Sequence, residues 1–233
     1  MLATMGMSPW TRLLRLLRAA CTLGRLNRTA DARVNQPAEL VRCAFQFCDG
    51  FLAPVQVEGE IAQLVDDVIH LRPRRILEIG TSMGGTLYLW TRVSDPEAVI
   101  LSVDLPRGPF GGGYSRLRSP LYRRFARHRQ RIHLLRADSH SPETQARVRA
   151  LLGDAPLDFL FIDGDHTYEG VRQDWQSYGP MVRKGGLVAF HDVAREYEDT
   201  AVKRFWDQVK NDFRYREYLS EPNGFYGIGV LEK

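Results

Sequence analysis

The sequence is poor in cysteine and has no long hydrophobic run. Its 233 residues include three cysteines, Cys21, Cys43 and Cys48, with no CxxC pair, which argues against both a disulfide framework and a zinc site. No segment approaches the roughly 18 apolar residues of a membrane span. Residues 1–26 also lack the continuous apolar centre of a secretory signal. We therefore expect a cytoplasmic protein that is long enough to bury one sizeable core.

Acidic residues are missing from the start of the chain. Residues 1–30 contain five arginines and no aspartate or glutamate. The remainder carries 27 basic and 28 acidic residues, so the net charge of +4 comes from this first segment. A duplex-binding face needs basic residues clustered on the folded surface. Nucleic acid is therefore not expected as a partner.

The segment 10-WTRLLRLLRAACTLGRL-26 predicts an amphipathic basic helix. Apolar residues recur among its arginines at roughly helical spacing: Leu13, Leu14, Leu16, Leu17 and Ala20. We assign it to a helical extension over residues 1–50 that precedes one domain over 51–233. Three roles stay open: packing on the domain or on a second subunit as a homodimer, peripheral contact with an anionic membrane, and organelle targeting.

From residue 57 onward, helical and strand-like segments alternate. A helix over 61–69 is stopped by Pro73. The predicted strands are 75–79, 98–104, 132–138, 157–163 and 186–192, and the predicted helices between and after them are 86–93, 142–152, 168–183 and 198–212. This alternation predicts the α/β class with a doubly wound, mostly parallel sheet. At the end of the chain, 214–219 and 225–232 are joined by 221-EPNG-224 and resemble a hairpin.

The first two strand ends indicate a nucleoside-containing ligand, because open parallel sheets bind ligands beyond the carboxyl ends of their strands. The turn 80-GTSMGG-85 lets the backbone approach a ligand and directs helix N–H groups at an anionic group. It lacks the spaced GxGxxG of dinucleotide binders. Asp104 ends the second strand, where a carboxylate can accept both hydroxyls of a ribose. Together these features favour an adenosine-containing cofactor.

At this point the chain from about residue 57 onward resembles the class I S-adenosylmethionine-dependent methyltransferases. The matching blocks are 78-EIGTSMGG-85, Asp104, 138-DSHSPET-144, 160-LFIDGDHTYEGV-171 and 185-GGLVAFHD-192. The last two are similar to the metal-dependent O-methyltransferases, in the branch of macrolide-sugar and cephalosporin-pathway enzymes, which is related to the catechol and caffeoyl-CoA types. The resemblance implies a Rossmann-like, seven-stranded sheet ending in an antiparallel hairpin. It also implies methyl transfer to a hydroxyl of a small molecule.

The resemblance further implies which residues hold the cofactor. The expected contacts are Glu78, Gly80, Thr81, Ser82, Gly84 and Gly85 on the amino acid end of S-adenosylmethionine, Asp104 on its ribose, and Asp138 with Ser139 on its adenine. A carboxylate near the sulfonium of this cofactor is also electrostatically favourable.

The later strand ends predict a divalent cation site. Asp163 ends one strand and His191 with Asp192 ends the next. A single crossover helix makes these strands neighbours, about 4.8 Å apart, so the three side chains can converge on one cation. They match the metal ligands of the family, except that the relatives have an acid at the position of His191. Carboxylates suit Mg²⁺, and the imidazole shifts the preference toward Mn²⁺, Fe²⁺ or Zn²⁺.

His166 is the expected proton acceptor, and with Asp163 it forms the predicted catalytic pair. Its position matches a general-base lysine of the caffeoyl-CoA type. A histidine near its ordinary pKa can take a hydroxyl proton at neutral pH. Three alternatives stay open: a metal-independent methyltransferase with His166 or His191 as base, a non-catalytic S-adenosylmethionine-binding assembly module, and a nicotinamide-dependent oxidoreductase, which the missing GxGxxG disfavours.

The connection over 105–131 is too long for a simple join between a strand and a helix. Its glycines at 111–113 favour a mobile lid. Four of its arginines could face a phosphorylated or carboxylated substrate: Arg116, Arg118, Arg123 and Arg124. The alternative is a solvated basic helix over 120–130.

Overall fold

The computed structural model describes residues 8–110, 113–153, 155–197, 200–220 and 224–233. Gly111, Gly112 and residues 221–223 of the predicted turn lie outside this part of the chain. The helices are α1 (Pro9–Asp31), α2 (Pro37–Gln46), α3 (Glu58–Leu71), α4 (Gly85–Val93), α5 (Ser119–Arg123), α6 (Pro142–Leu152), α7 (Tyr168–Tyr178) and α8 (Val202–Val209). The strands are β1 (Arg75–Ile79), β2 (Val99–Val103), β3 (Arg131–Leu135), β4 (Leu157–Ile162), β5 (Val182–His191), β6 (Arg214–Tyr218) and β7 (Ile228–Glu232).

The strands form one seven-stranded sheet in the order β3-β2-β1-β4-β5-β7-β6. The pairs among β1 to β5 are parallel, whereas β7 runs antiparallel to both β5 and β6. The strand order reverses between β1 and β4, and such a reversal opens a crevice at the carboxyl ends of the strands. The predicted doubly wound sheet with an antiparallel C-terminal pair is confirmed.

The central strands are buried on both faces, which is typical of parallel strands covered by helices. Side chains of β1 alternate between the two sides, so Ile76 packs into one core and Leu77 into the other. The first core lies under α1 to α4, and the second lies under α6 to α8. Trp90 of α4 and Trp206 of α8 are fully buried, one in each core.

Several predicted element boundaries differ from the structure. The strand predicted over 132–138 ends at Leu135, and the one predicted over 225–232 begins at Ile228. The helix predicted over 198–212 spans Val202–Val209, and 198 and 199 lie outside the described residues.

The helix predicted over 168–183 ends at Tyr178, where a 3-10 turn over Gly179–Met181 begins. Pro180 in this turn has no N–H to continue the helical ladder. The strand that follows begins at Val182, before the predicted 186, because Val182 pairs with Leu157 ahead of an irregularity in the register.

The N-terminal helix α1 packs on the domain mainly through residues outside the predicted stripe, of which only Leu16 and Ala20 pack against the first core. Its buried residues begin near the middle of the helix: Ala19, Leu23, Leu26 and Ala30. Of the predicted apolar stripe, Leu13, Leu14 and Leu17 are exposed. At the end of α1, Asp31 lies 3.2 Å from the buried guanidinium of Arg92 on α4. The second half of α1 thus belongs to the first core, and the domain boundary at residue 50 stays a prediction.

Two leucines on α1 test this arrangement. Leu23 is buried and Leu14 is 65% exposed. We expect Leu23→Ala to lower the free energy of unfolding by about 2–5 kcal/mol because it leaves a cavity. Leu14→Ala, the matched control, should change it by less than about 0.5 kcal/mol. Urea unfolding measures both, and equal effects would show that α1 does not pack as described.

Candidate functional site

A cavity of about 230 Å³ lies beyond the carboxyl ends of β1 to β4. This edge borders the reversal of strand order, where open parallel sheets bind ligands. Six predicted site residues line the cavity: Gly80, Ser82, Asp104, Asp138, Ser139 and Asp163. Residues from four strand ends therefore meet in one concave site.

Asp104, directly after β2, is held by backbone N–H groups. Its Oδ1 accepts a hydrogen bond from the N–H of Thr81 at 3.2 Å, and its Oδ2 accepts one from the N–H of Tyr114 at 2.8 Å. Burial raises the pKa of Asp104, while these N–H groups oppose the increase. Each carboxylate oxygen has a further lone pair, so Asp104 can also accept hydrogen bonds from a ribose.

The glycines after β1 allow close backbone packing. Gly80 has a φ of +92°, and a Cβ there would lie 1.9 Å from the carbonyl oxygen of Asp163. Gly84 has a φ of +82°, and its Cβ would lie 2.6 Å from the ring of Tyr122. Larger residues would strain the backbone and separate these segments. The turn is therefore fixed by its protein neighbours before any ligand binds.

Glu78 does not line the described cavity, so its expected direct contact with the cofactor stays a prediction. Glu78 is fully buried, and its carboxylate accepts hydrogen bonds from Trp90 Nε1 at 2.9 Å and Ser102 Oγ at 2.8 Å. Burial raises its pKa to about 7, against the effect of these donors. The alternation of β1 directs Glu78 toward α4. Thr81, Gly84 and Gly85 are likewise outside the described cavity lining.

His140 lines the cavity beside Asp138 and Ser139, although the sequence did not single it out. Its backbone N–H donates to Asp138 Oδ1 at 2.9 Å, and its Nε2 lies 3.3 Å from Oδ1 of the buried Asp174. The contact with Asp174 raises the pKa of His140. On the other side, the carbonyl of Ser139 accepts a hydrogen bond from Tyr178 Oη at 2.6 Å. These contacts fix the predicted adenine side of the cavity.

The predicted catalytic and metal-binding residues form one cluster of two acids and two histidines. His191 Nδ1 lies 3.0 Å from Asp163 Oδ1, and His166 Nδ1 lies 2.9 Å from Asp192 Oδ2. His166 Nε2 is also 3.5 Å from Asp163 Oδ1. Because Asp163 lines the cavity as well, the cluster borders the space predicted for the cofactor.

Neighbouring strands bring the cluster together, as the sequence predicted. In the β4–β5 pair, Ile162 is opposite Phe190, so Asp163 and His191 follow at adjacent strand ends. Asp192 comes next with a φ of +64°, a left-handed conformation that is unusual for a residue other than glycine. Strained backbone of this kind is concentrated at functional sites.

Opposite charges control protonation in the cluster. Burial alone would lower the pKa of His166, but its contacts with Asp163 and Asp192 raise it to about 10. Burial acts to raise the pKa of Asp163, yet His191 and His166 hold it far below its ordinary value. The pKa of His191 is raised by the two acids despite burial. Without another cation nearby, His166 therefore carries a proton at neutral pH.

The cluster also fits a divalent cation. One donor atom from each of Asp163, His191 and Asp192 lies within 4.8 Å of the other two. The buried Nε2 of His191 has no hydrogen-bond partner among the described residues. Two carboxylates and an imidazole are ligands that Mn²⁺ and related ions accept.

Several residues around the cluster were not predicted. Gln56 Nε2 donates a hydrogen bond to Asp163 Oδ2 at 2.6 Å, and Tyr197 Oη donates to Asp192 Oδ1 at 3.3 Å. Phe110 stacks on His166, and Tyr226 stacks on His191, with ring centroids 4.8 Å and 5.3 Å apart. These residues belong to loops without a motif, so no sequence signal pointed to them.

The arginines of the connection over 105–131 do not line the described cavity. Arg118 Nη1 donates to the carbonyl of Met83 at 3.2 Å, and Arg124 Nη1 donates to the carbonyl of Ala20 at 3.1 Å. Arg116 and Arg123 are exposed. The expected basic helix is limited to the short α5. The connection instead contributes Leu105, Gly108, Pro109, Phe110 and Gly113 to the cavity wall.

The sequence profile of a family described as "Methyltransferase domain" matches residues 77–193, which is half of the chain. This range includes the turn after β1, Asp104, Asp138 and the complete acid–histidine cluster. The chain belongs to this methyltransferase family. The expected methyltransferase family is thereby confirmed.

Two curated relatives of the methyltransferase are uncharacterised proteins. Protein y4gI of Sinorhizobium fredii is 26% identical over 168 residues, which cover 70% of this chain and 18% of the relative. Protein R132 of Acanthamoeba polyphaga mimivirus is 34% identical over 73 residues, covering 30% of this chain and 33% of the relative. The methyltransferase thus matches a third or less of the length of each.

Solved structures confirm the fold. An O-methyltransferase from Bacillus cereus, in complex with SAH (S-adenosylhomocysteine), has a TM-score of 0.54 at 16% identity over 87% of this chain and 91% of its own. The O-methyltransferase TomG from Streptomyces achromogenes, in complex with SAM (S-adenosylmethionine), has a TM-score of 0.54 at 19% identity, covering 85% of this chain and 90% of its own. MycE from the mycinamycin pathway, in complex with Mg, SAH and mycinamycin VI, has a TM-score of 0.51 at 20% identity, covering 73% of this chain and 48% of its own.

The protonation of His166 can be tested in protein freed of metal by chelation. We expect NMR to show its imidazole protonated at pH 8, and Asp192→Asn to lower its pKa because one counter-charge is lost. A folded pKa of about 10, above the ordinary value of 6.5, stabilises the fold below pH 6.5 and loses this effect as the pH rises toward 10. Titration of His166 at or below 6.5 would contradict the described ion pairs.

Proposed function

We propose that this chain transfers the methyl group of SAM to a hydroxyl oxygen of a small molecule, with the assistance of a divalent cation. One observation carries the proposal: Asp163 belongs both to the cavity wall and to the acid–histidine cluster. A cofactor in the cavity would therefore have its reactive end beside groups that can bind and deprotonate an acceptor.

The cavity offers suitable groups for each part of SAM. The N–H groups and carbonyls around Gly80 and Ser82 can hold the amino acid end, and Asp104 can accept from the ribose hydroxyls. Asp138 and Ser139 would face the adenine. The SAM and SAH complexes of the two O-methyltransferases with similar folds support this choice of cofactor.

Asp163, His191 and Asp192 would hold the cation. A bound divalent ion would polarise the acceptor oxygen and stabilise its negative charge. The imidazole of His191 favours Mn²⁺ over Mg²⁺, whereas the MycE complex contains Mg. Gln56 and Tyr197 hydrogen-bond Asp163 and Asp192, and such outer contacts orient ligand carboxylates.

His166 would receive the acceptor proton. The hydroxyl O–H bond breaks toward the imidazole, a C–O bond forms at the methyl carbon, and the C–S bond of SAM breaks to leave SAH. Positioning the oxygen in line with this bond supplies much of the acceleration. Because Asp163 and Asp192 keep a proton on His166, this proton would have to leave to solvent before His166 could accept the one from the acceptor hydroxyl. A cation held by the same carboxylates would favour that loss by replacing the positive charge of the imidazole.

Two alternatives remain as outcomes of experiment. A metal-free route would use His166 or His191 as base after that histidine has released its proton. A non-catalytic module would bind SAM and use the N-terminal helices for assembly. The location in the cytoplasm and the identity of the acceptor are likewise proposals.

Cofactor binding gives the first test. By calorimetry we expect SAM and SAH to bind the wild type, and Asp104→Ala to weaken both by at least about tenfold because the ribose loses its acceptor. Asp192→Asn, which lies outside the described cavity lining, is the control and should retain most of the affinity. If the wild type binds neither compound at millimolar concentration, the proposed function is wrong.

The metal requirement gives the second test. Mn²⁺ should bind the chelated protein in a calorimetric titration, and His191→Ala should abolish this binding. With an acceptor found by labelled methyl transfer into metabolite extracts, EDTA should lower the rate by at least about tenfold and Mn²⁺ should restore it. Activity that is unchanged by EDTA and by Asp163→Ala would remove the cation and favour the metal-free route.

A further inference from the structure

The first half of α1 exposes a continuous apolar stripe. Trp10, Leu13, Leu14 and Leu17 are 76%, 38%, 65% and 52% exposed. Their spacing of three, four and seven residues places them on one face of the helix. The buried face in the second half of α1 follows other positions, so the folded domain does not cover this stripe.

The stripe is held firmly by the domain. Arg15 donates a hydrogen bond to the carbonyl of Asp49 at 3.0 Å, and Arg18 forms an ion pair with the Asp49 carboxylate at 2.7 Å. Further along, Leu23 anchors α1 in the first core. An apolar face on a well-anchored helix is expected to have an external partner.

Two basic segments without acids meet beside the stripe. Residues 8–30 contain five arginines, residues 105–131 contain eight, and neither has an aspartate or glutamate. The two segments are joined where Arg124 donates to the carbonyl of Ala20. In the second segment Leu117 is 67% exposed, and Arg116 and Arg123 are exposed as well. The surrounding surface therefore combines positive charge with exposed apolar side chains.

We propose that this face of α1 binds an anionic lipid surface. Tryptophan and leucine suit the boundary between headgroups and acyl chains, and arginine suits anionic headgroups. The proposed contact is peripheral because it uses one face of α1, and the described helices include none that could cross a bilayer. A second copy is the weaker fit, because residues 8–30 contain no acid and pairing two such stripes would bring their arginines together, with Asp49 offsetting the charge of Arg18. Nucleic acid would leave the apolar stripe exposed.

Vesicle co-sedimentation tests the proposal with the full chain. One set of vesicles is pure phosphatidylcholine, and the other contains about a third of phosphatidylglycerol, whose charge should attract the arginines. We expect the wild type to partition at least about tenfold more strongly onto the anionic vesicles. Leu14→Glu with Leu17→Glu should remove this binding.

The matched control is Ala146→Glu with Ala150→Glu, which adds the same charge to exposed positions of α6 on the other side of the sheet. It should keep vesicle binding, and unchanged SAH affinity would show that both variants are folded. Equal binding to both vesicle types, or equal loss in both variants, overturns the proposal. A third result would also overturn it: the wild type binds no vesicles and is a dimer in sedimentation velocity, and only the double leucine variant is a monomer. This result would identify a second copy as the partner.

Discussion

The contact between the turn after β1 and the end of β4 is the constraint on which the site depends. A Cβ at Gly80 would lie 1.9 Å from the carbonyl oxygen of Asp163, so only glycine lets the two backbones meet. Gly80 lines the cavity, and Asp163 connects the cavity to the acid–histidine cluster. A separation of these segments would move the methyl donor away from the groups proposed to bind and deprotonate the acceptor.

Charge balance is the second constraint. The carboxylates of the partly buried Asp163 and the buried Asp192 repel each other, and in this structure the imidazoles of His166 and His191 compensate them. A divalent cation could replace part of that compensation, because its ligands are the same carboxylates. The cluster can therefore exchange one form of positive charge for another, which links the protonation of His166 to occupation of the site. The left-handed conformation of Asp192 keeps its carboxylate within this cluster.

The sequence predicted the sheet and the meeting of Asp163, His166, His191 and Asp192, because strand ends and crossover rules depend on local patterns. It did not predict that Trp90 and Ser102 would hydrogen-bond Glu78, because these partners lie on other elements and follow no motif. Gln56 is 107 residues from Asp163 in the chain and carries no motif. The sequence showed the helical periodicity of α1. The helix has two apolar faces, however, and tertiary packing decides that the face with Leu23 is the one buried against the domain.

In the proposed mechanism the cavity and the acid–histidine cluster act as a single catalytic site. Broadening by Mn²⁺ of the S-methyl proton resonance of bound SAM tests this most directly, because the paramagnetic effect decreases steeply with distance. We predict strong broadening in the wild type and its loss in His191→Ala. A methyl resonance that stays sharp while both Mn²⁺ and SAM are bound would contradict a single site.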